Sequence, residues 1–419
     1  MGAGSPFLHF FQLPSMPKSK HLPPSKAAKV HQAALNDDEV EEALIQQLAD
    51  FAVELATEDE NSPALPGKQR DLRRMIAKNL RAQKDDVLYE ALERARDQEA
   101  EAYPFLRQAI EESAEMVYFT RNEQSIEVNA FVIPMFVRTI GGLDSEHNFR
   151  DADAFTALTE SIQQAQLESA AAKVVLVSYA YHLYEIDAIT YSHLEAMVRD
   201  AYAAMTDKKI KATPAIERSF GSWPPNRFGA EDTAVELRFL LGFTLKNTDD
   251  PFYTVPADEA AMDAYFALRS QRFQSWSETV VPLVQRCLVA AGREFDVHFL
   301  YQDLFHGGKE RGVNEYFMLQ MMSELDHGLQ QSGISDAQTD AVMGPVELEG
   351  VLSLRVNLYG ANAELVASVD KPLDSGRDLD VELEDTCDAL LTLGVQSVGL
   401  AERFNADGIA LNVAPYVAL

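Results

Sequence analysis

Between Arg293 and Gly312 the chain reads Arg-Glu-Phe-Asp-Val-His-Phe-Leu-Tyr-Gln-Asp-Leu-Phe-His-Gly-Gly-Lys-Glu-Arg-Gly. No other stretch brings imidazole, carboxylate, cationic and glycine residues so close together. Three chemistries suit it. Gly307, Gly308 and Gly312 can adopt left-handed backbone and turn N–H groups outward, Lys309 and Arg311 add charge, and a following helix N-terminus adds its dipole. That set would bind a phosphate, although it matches neither the P-loop nor the dinucleotide fingerprint. A divalent metal is the second reading. Asp296 and His298 share one face of a strand and Asp303 and His306 follow, an oxygen and imidazole set of the kind metals accept. In the third, Asp296 and His298 line the solvated side of a half-buried strand and Gly307-Gly308 simply make the turn.

The elements that must position these groups follow from composition and periodicity. At 419 residues, 47% hydrophobic, the chain has material for two or three packed units. Its formal charge of -30 is uneven: residues 1–30 hold four lysines and no acid, so 31–419 hold 32 bases against 66 acids, a net of -34. Such a chain is repelled by phosphate backbones and anionic lipid, which disfavours nucleic acid and favours a basic protein partner. No apolar run approaches the roughly 18 residues that span a bilayer. Cys287 and Cys387 have no ligand-like spacing and sit in helical patterns, which fits buried thiols and a cytoplasmic protein. Met16-Pro-Lys-Ser-Lys-His would also make an ordinary hydrophilic start. The sequence points to no particular cofactor and fixes no oligomeric state.

Residues 1–30 read as a disordered basic tail. An N-cap at Asn36 then opens a helical unit over 31–115, with helices near 69–82 and 85–114. The period changes to two at Ile126, Val128, Ala130 and Val132, where Pro134 predicts an edge strand or a bulge. An α/β lobe over 116–206 carries a helix near 151–169, a strand at 173–182 and a helix near 191–206. Residues 207–232, with Trp223-Pro-Pro-Asn-Arg-Phe, form an interlobe loop. A second α+β lobe over 233–419 opens with a strand at 235–244 and a helix at 258–291. From 294 onward the expected order is β-α-β-β-α-β, with a hairpin at 350–359 and 363–370, the ferredoxin-like arrangement. The fold class is therefore α+β: an all-helical N-terminal unit, then alternating strands and helices.

Several segments together resemble a bacterial family of proteins of unknown function, number 2863. They are Glu236-Leu-Arg-Phe-Leu-Leu-Gly with Asp250-Pro-Phe-Tyr, the strand exit Tyr184-Glu-Ile-Asp187, the strand–loop–helix at 293–331, and Gly394-Val-Gln-Ser-Val. The similarity covers roughly 115–404. It implies a fold and no assigned activity. It also implies a closely spaced cysteine pair near the C-terminus, where this chain has Asn405-Ala-Asp-Gly-Ile-Ala-Leu. The Asp-x-His pair is similar to the opening of binuclear metallophosphoesterases, but their later Asn-His and distant His motifs are missing.

Elsewhere the signals are plainer. His182 and Tyr184 beside Glu185 and Asp187 read as an acid/base pair or a polar rim. Met318, Met321 and Met322 form a core stripe. The acidic run at 374–385 fails the EF-hand pattern, and no Gly-x-Ser-x-Gly, His-Glu-x-x-His or Cys-x-x-Cys is present. Two functional readings follow. One is a non-catalytic binding or regulatory protein whose acidic surface meets a basic partner. The alternative is an enzyme acting on a phosphorylated or metal-bound small molecule at 293–312, which requires Asp296, His298, His306, Lys309 and Arg311 to converge on one pocket.

Overall fold

The computed structural model describes residues 26–416 apart from 59–61, 63, 141–151, 177–180, 183–185, 208–232, 289–294, 336–337, 349–350, 374–378 and 406. Two long strands organise it. β2 (Gln124–Ile140) and β5 (Thr233–Asn247) pair antiparallel from Ile126↔Asn247 to Ile140↔Thr233. β1 (Met116–Arg121), β6 (Phe295–Phe299) and β7 (Asp303–Leu304) share the free edge of β2, while β3 (Lys173–Leu176) and β4 (Tyr181–His182) line that of β5.

Side chains alternate across this sheet, and both faces are covered. Val128, Ala130, Val132, Leu237, Phe239, Leu241 and Phe243 pack under five helices: α1 (Lys26–Ala56), α2 (Leu65–Arg81), α3 (Asp85–Gln98), α4 (Ala102–Glu115) and α6 (Tyr191–Thr206). Phe131, Ile133, Met135, Val137 and Leu240 face α5 (Ala152–Gln164) and α7 (Glu259–Leu288). There Trp276 donates its indole N–H to Ser161 Oγ at 2.8 Å, which locks the two helices together.

A second sheet has the order β10-β9-β8-β11-β14, from β8 (Asp340–Leu348), β9 (Val351–Tyr359), β10 (Leu365–Pro372), β11 (Ser397–Leu400) and β14 (Ala414–Pro415). β12 (Arg403–Phe404) and β13 (Ala410–Leu411) make a separate small ladder. The long helix α8 (Phe305–Ser332) joins the two sheets. Phe305 is buried in the first core, while Met321, Leu325 and Leu329 join Leu383, Cys387 and Leu390 of α9 (Leu379–Leu393) over the second sheet.

The α+β class and the helical leading region are observed; the ferredoxin-like order is not. The strand at 295–299 belongs to the first sheet, because it pairs with β2 from Met135↔Phe299 to Thr139↔Phe295. β8 supplies an extra strand whose Gly344-Pro345 reads as a breaker, and β11 runs parallel to it. Pro134 corrects in the same sense, since its strand is central. The carbonyl of Pro134 accepts from Leu300 N–H at 2.9 Å, on the side where β6 has ended and β7 has not begun. The missing N–H thus falls in a gap between neighbours. The helix expected at 85–114 is two, since Pro104 must lie in a first turn and the chain breaks ahead of it at Glu99. α1 begins at Lys26, so position 36 lies inside the helix and not at its start. Cys387 is buried as expected. The Trp223 loop and the side chains of His182, Tyr184 and Cys287 lie outside the described residues.

Candidate functional site

α8 begins where β7 ends, and its first turn meets the last turn of α4. The backbone N–H of His306 donates to Glu115 Oε2 at 3.0 Å, so a buried carboxyl group from another helix satisfies an open N–H in the first turn of α8. Asp303 Oδ1 accepts from Leu304 N–H at 2.8 Å and tightens the same turn. Arg107, Glu111 and Glu115 recur at every fourth residue along α4, which puts all three on one stripe facing α8. Arg107 Nε donates to Glu111 Oε1 at 2.8 Å, and its guanidinium also meets Glu310 of α8.

Tyr191 completes this wall. Thr190 caps α6 by accepting from His193 N–H at 3.3 Å, and Asp85 of α3 takes both Ser192 N–H and the Thr190 hydroxyl. The cap fixes the first turn of α6, so the Tyr191 ring lies 5.5 Å from the His306 ring and 5.2 Å from that of Tyr89.

Together these elements enclose a cleft of about 810 Å³, closed on its far side by Pro372, Leu373 and the start of α9. Burial decides its electrostatics. It pushes the Glu115 carboxyl up to about 8, helped by Glu111 and Asp303, so this acid is protonated at neutral pH. Burial also lowers the His306 imidazole to about 3, with the Lys309 and Arg107 cations adding to the effect. His306 is therefore neutral. Its Nδ1 lies 3.9 Å from Glu111 Oε1, and its Nε2 is buried with no hydrogen-bond partner among the described residues. Burial raises the Tyr191 and Tyr89 phenols as well.

The expected site residues divide. His306, Gly307, Lys309 and Arg311 line this cleft. Asp296 and His298 do not: both are exposed on β6, where Asp296 pairs with Arg138 at 2.7 Å. Asp303 is met by Arg311 at 3.7 Å. The metal set Asp296, His298, Asp303 and His306 is thus dispersed, and among the described residues no group of three or more His, Cys, Asp or Glu side chains is placed to hold a metal ion. The required convergence on one pocket does not occur.

The phosphate cradle is corrected too. Gly307, Gly308 and Gly312 lie inside a helix, with ordinary helical backbone. A methyl group on Gly308 would stand 2.6 Å from Val132 Cγ2, and one on Gly312 would stand 2.9 Å from Pro134 Cβ. These two glycines let α8 lie flat on the sheet. Lys309 is held by Asp187 at 2.8 Å. Arg107, Glu111, Glu115 and Tyr191, the groups that shape the cleft, escaped sequence reading. The one trace of the first three was the four-residue ladder on α4.

Fold and site together define a two-sheet α+β protein with a polar, aromatic-walled cleft between its leading helices and the connecting helix. The sequence profile of a family described as "Protein of unknown function (DUF2863)" matches residues 36–305, and the chain belongs to that family. The match takes in the leading helices and stops at the start of α8, whereas the resemblance read from the sequence ran over 115–404. No curated protein and no solved structure matches the chain. No helix among the described residues is long and apolar enough to cross a membrane.

Proposed function

We propose that this is a non-catalytic binding protein of the cytoplasm whose cleft receives basic side chains of a partner protein. The observation that carries the reading is the composition of the cleft wall. Seven carboxylates line it against Arg107, Lys309 and Arg311, in a chain whose net charge is already -30. Tyr89, Tyr103 and Tyr191 add ring faces that attract ammonium and guanidinium groups. The neutral His306 ring also lines the cleft, with an Nε2 that has no hydrogen-bond partner among the described residues. The acidic excess also opposes a phosphorylated ligand.

The test is fluorescence anisotropy with a labelled hexa-arginine peptide and the full chain. Binding should weaken as salt rises, because exposed charges are screened over about 10 Å at 0.1 M. Glu93→Lys with Asp385→Lys should weaken it about tenfold, whereas Asp263→Lys, on α7 across the sheet, should leave it unchanged. Equal loss in the Asp263 variant would mean diffuse attraction and end the reading.

A further inference from the structure

A separate cavity of about 480 Å³ lies on the opposite face of the first sheet, between β2, the start of α7 and the β6–β7 connection. Its polar groups are deeply buried: Asn129 is 5% exposed, Glu168 7% and Gln302 8%. Gln302 Nε2 donates to Glu168 Oε1 at 2.9 Å and to Leu167 O at 3.4 Å, both acceptors. That pairing fixes the amide orientation and leaves Gln302 Oε1 with no hydrogen-bond partner among the described residues. Asn129 Oδ1 is orphaned in the same way, and so is Thr244 Oγ1 directly across the strand pair.

Glu168 Oε2 accepts the Tyr253 hydroxyl at 2.5 Å. Its hydrogen-bond donors are neutral: the nearby Lys246 ammonium is paired with Glu127 at 3.1 Å and sits 3.9 Å over the Tyr253 ring, and the Arg269 guanidinium lies 4.5 Å over that of Phe252. Burial raises the Glu168 pKa, and the Tyr253 hydroxyl, the Lys246 and Arg269 charges and the Gln302 amide oppose that rise. Leaving one buried acceptor unmade costs on the order of 1–3 kcal/mol, and three acceptor atoms on one sheet face are a concentration that packing alone does not call for. Aromatic rings complete the wall at Phe131, Tyr265 and Tyr301. Gly242 permits this surface, because a methyl group there would stand 2.3 Å from the Phe131 ring.

We propose that this cavity binds a small primary amine with an aromatic or aliphatic body, its ammonium donating to Glu168, Gln302 Oε1 and Asn129 Oδ1. An ammonium carries three donors, which matches these three acceptors, two of them amide oxygens that have no other hydrogen-bond partner among the described residues. The ring faces suit the cation and its apolar body.

The experiment is thermal-shift and calorimetric titration of the full chain with phenethylamine, and with 3-phenylpropionate as the anionic counterpart. Phenethylamine should raise the melting temperature in a concentration-dependent way, and the anion should not. Glu168→Gln should weaken amine binding at least about tenfold. Ser270→Trp, an exposed position on α7 at the cavity mouth, should block binding while leaving the buried polar groups intact, so the result stands even if the Glu168 variant fails to fold. His306→Gln, in the other cleft, should leave it unchanged. A flat titration, an equal shift with 3-phenylpropionate, or full binding by the Ser270 variant would overturn the proposal.

Discussion

The carboxyl group of Glu115, the last residue of α4, accepts the backbone N–H of His306 in the first turn of α8 at 3.0 Å. Two helix ends almost two hundred positions apart are thereby joined through one buried acid. The contact explains why α8 needs no capping side chain of its own: Leu304 stands at its N-cap and makes no side-chain bond there.

This junction predicts a pH dependence. Glu115 keeps its proton in the folded chain up to about 8 against an ordinary 4.5, so the folded state binds more protons within that window and loses stability as pH rises through it. His306 works in the opposite sense. Its imidazole is lowered to about 3 from 6.5, so the unfolded chain takes up the proton first and stability is lost as pH falls below 6.5. The two slopes nearly cancel between 4.5 and 6.5. Above that range the Glu115 contribution stands alone, at about 1.4 kcal/mol per pH unit, or about 2 kcal/mol by pH 8. Denaturant midpoints at pH 6 and pH 8.5 should show the fall, and Glu115→Gln should flatten it. An unchanged fall in that variant would clear the carboxyl of responsibility.

Gly308→Ala and Gly312→Ala should each destabilise the protein, by about 1–3 kcal/mol. In an isolated helix the same changes stabilise by about 1 kcal/mol, so the sign reports which effect wins. Contact at 2.6 Å and 2.9 Å means that the added methyl must push α8 off β2. A rise in melting temperature for both would show that the sheet yields instead.

Glu236 and Arg238 stand two residues apart on β5, 6% and 2% exposed, with Arg238 Nη2 donating to Glu236 Oε2 at 3.2 Å. Burial raises the Glu236 pKa, and the Arg238 guanidinium opposes that rise. Arg238→Met should cost about 3–5 kcal/mol by stranding the acid, and adding Glu236→Leu should recover much of it. The double-mutant cycle fails the idea if the second change brings no recovery.

Lys371 and Glu382 make the corresponding buried pair between β10 and α9, at 2% and 3% exposure. Lys371→Met should destabilise the second sheet by a similar amount, about 3–5 kcal/mol. Hydrogen exchange should then rise first in β10 and α9, and uniform loss across both sheets would mean that they unfold as one unit.

The sequence by itself determined the α+β class, the helical leading region and the helix at 191–206, because helical spacing and strict alternation are local properties. It also placed β5, since Val235, Leu237, Phe239, Leu241 and Phe243 repeat with period two. Only the tertiary structure decided what the 293–312 stretch is. Glycines suited to a loop became the flat side of a helix, because Val132, Pro134 and Phe239 press on them from strands far away in the chain. Pro134 predicted an edge strand or a bulge, yet it and Pro345 both sit in central strands where a neighbour on one side has ended, and no local rule records where a neighbour stops. His306 was legible as a reactive residue. Its neutrality was not, since burial by Tyr191 and α4 sets it, and desolvation depends on what the fold brings near a group.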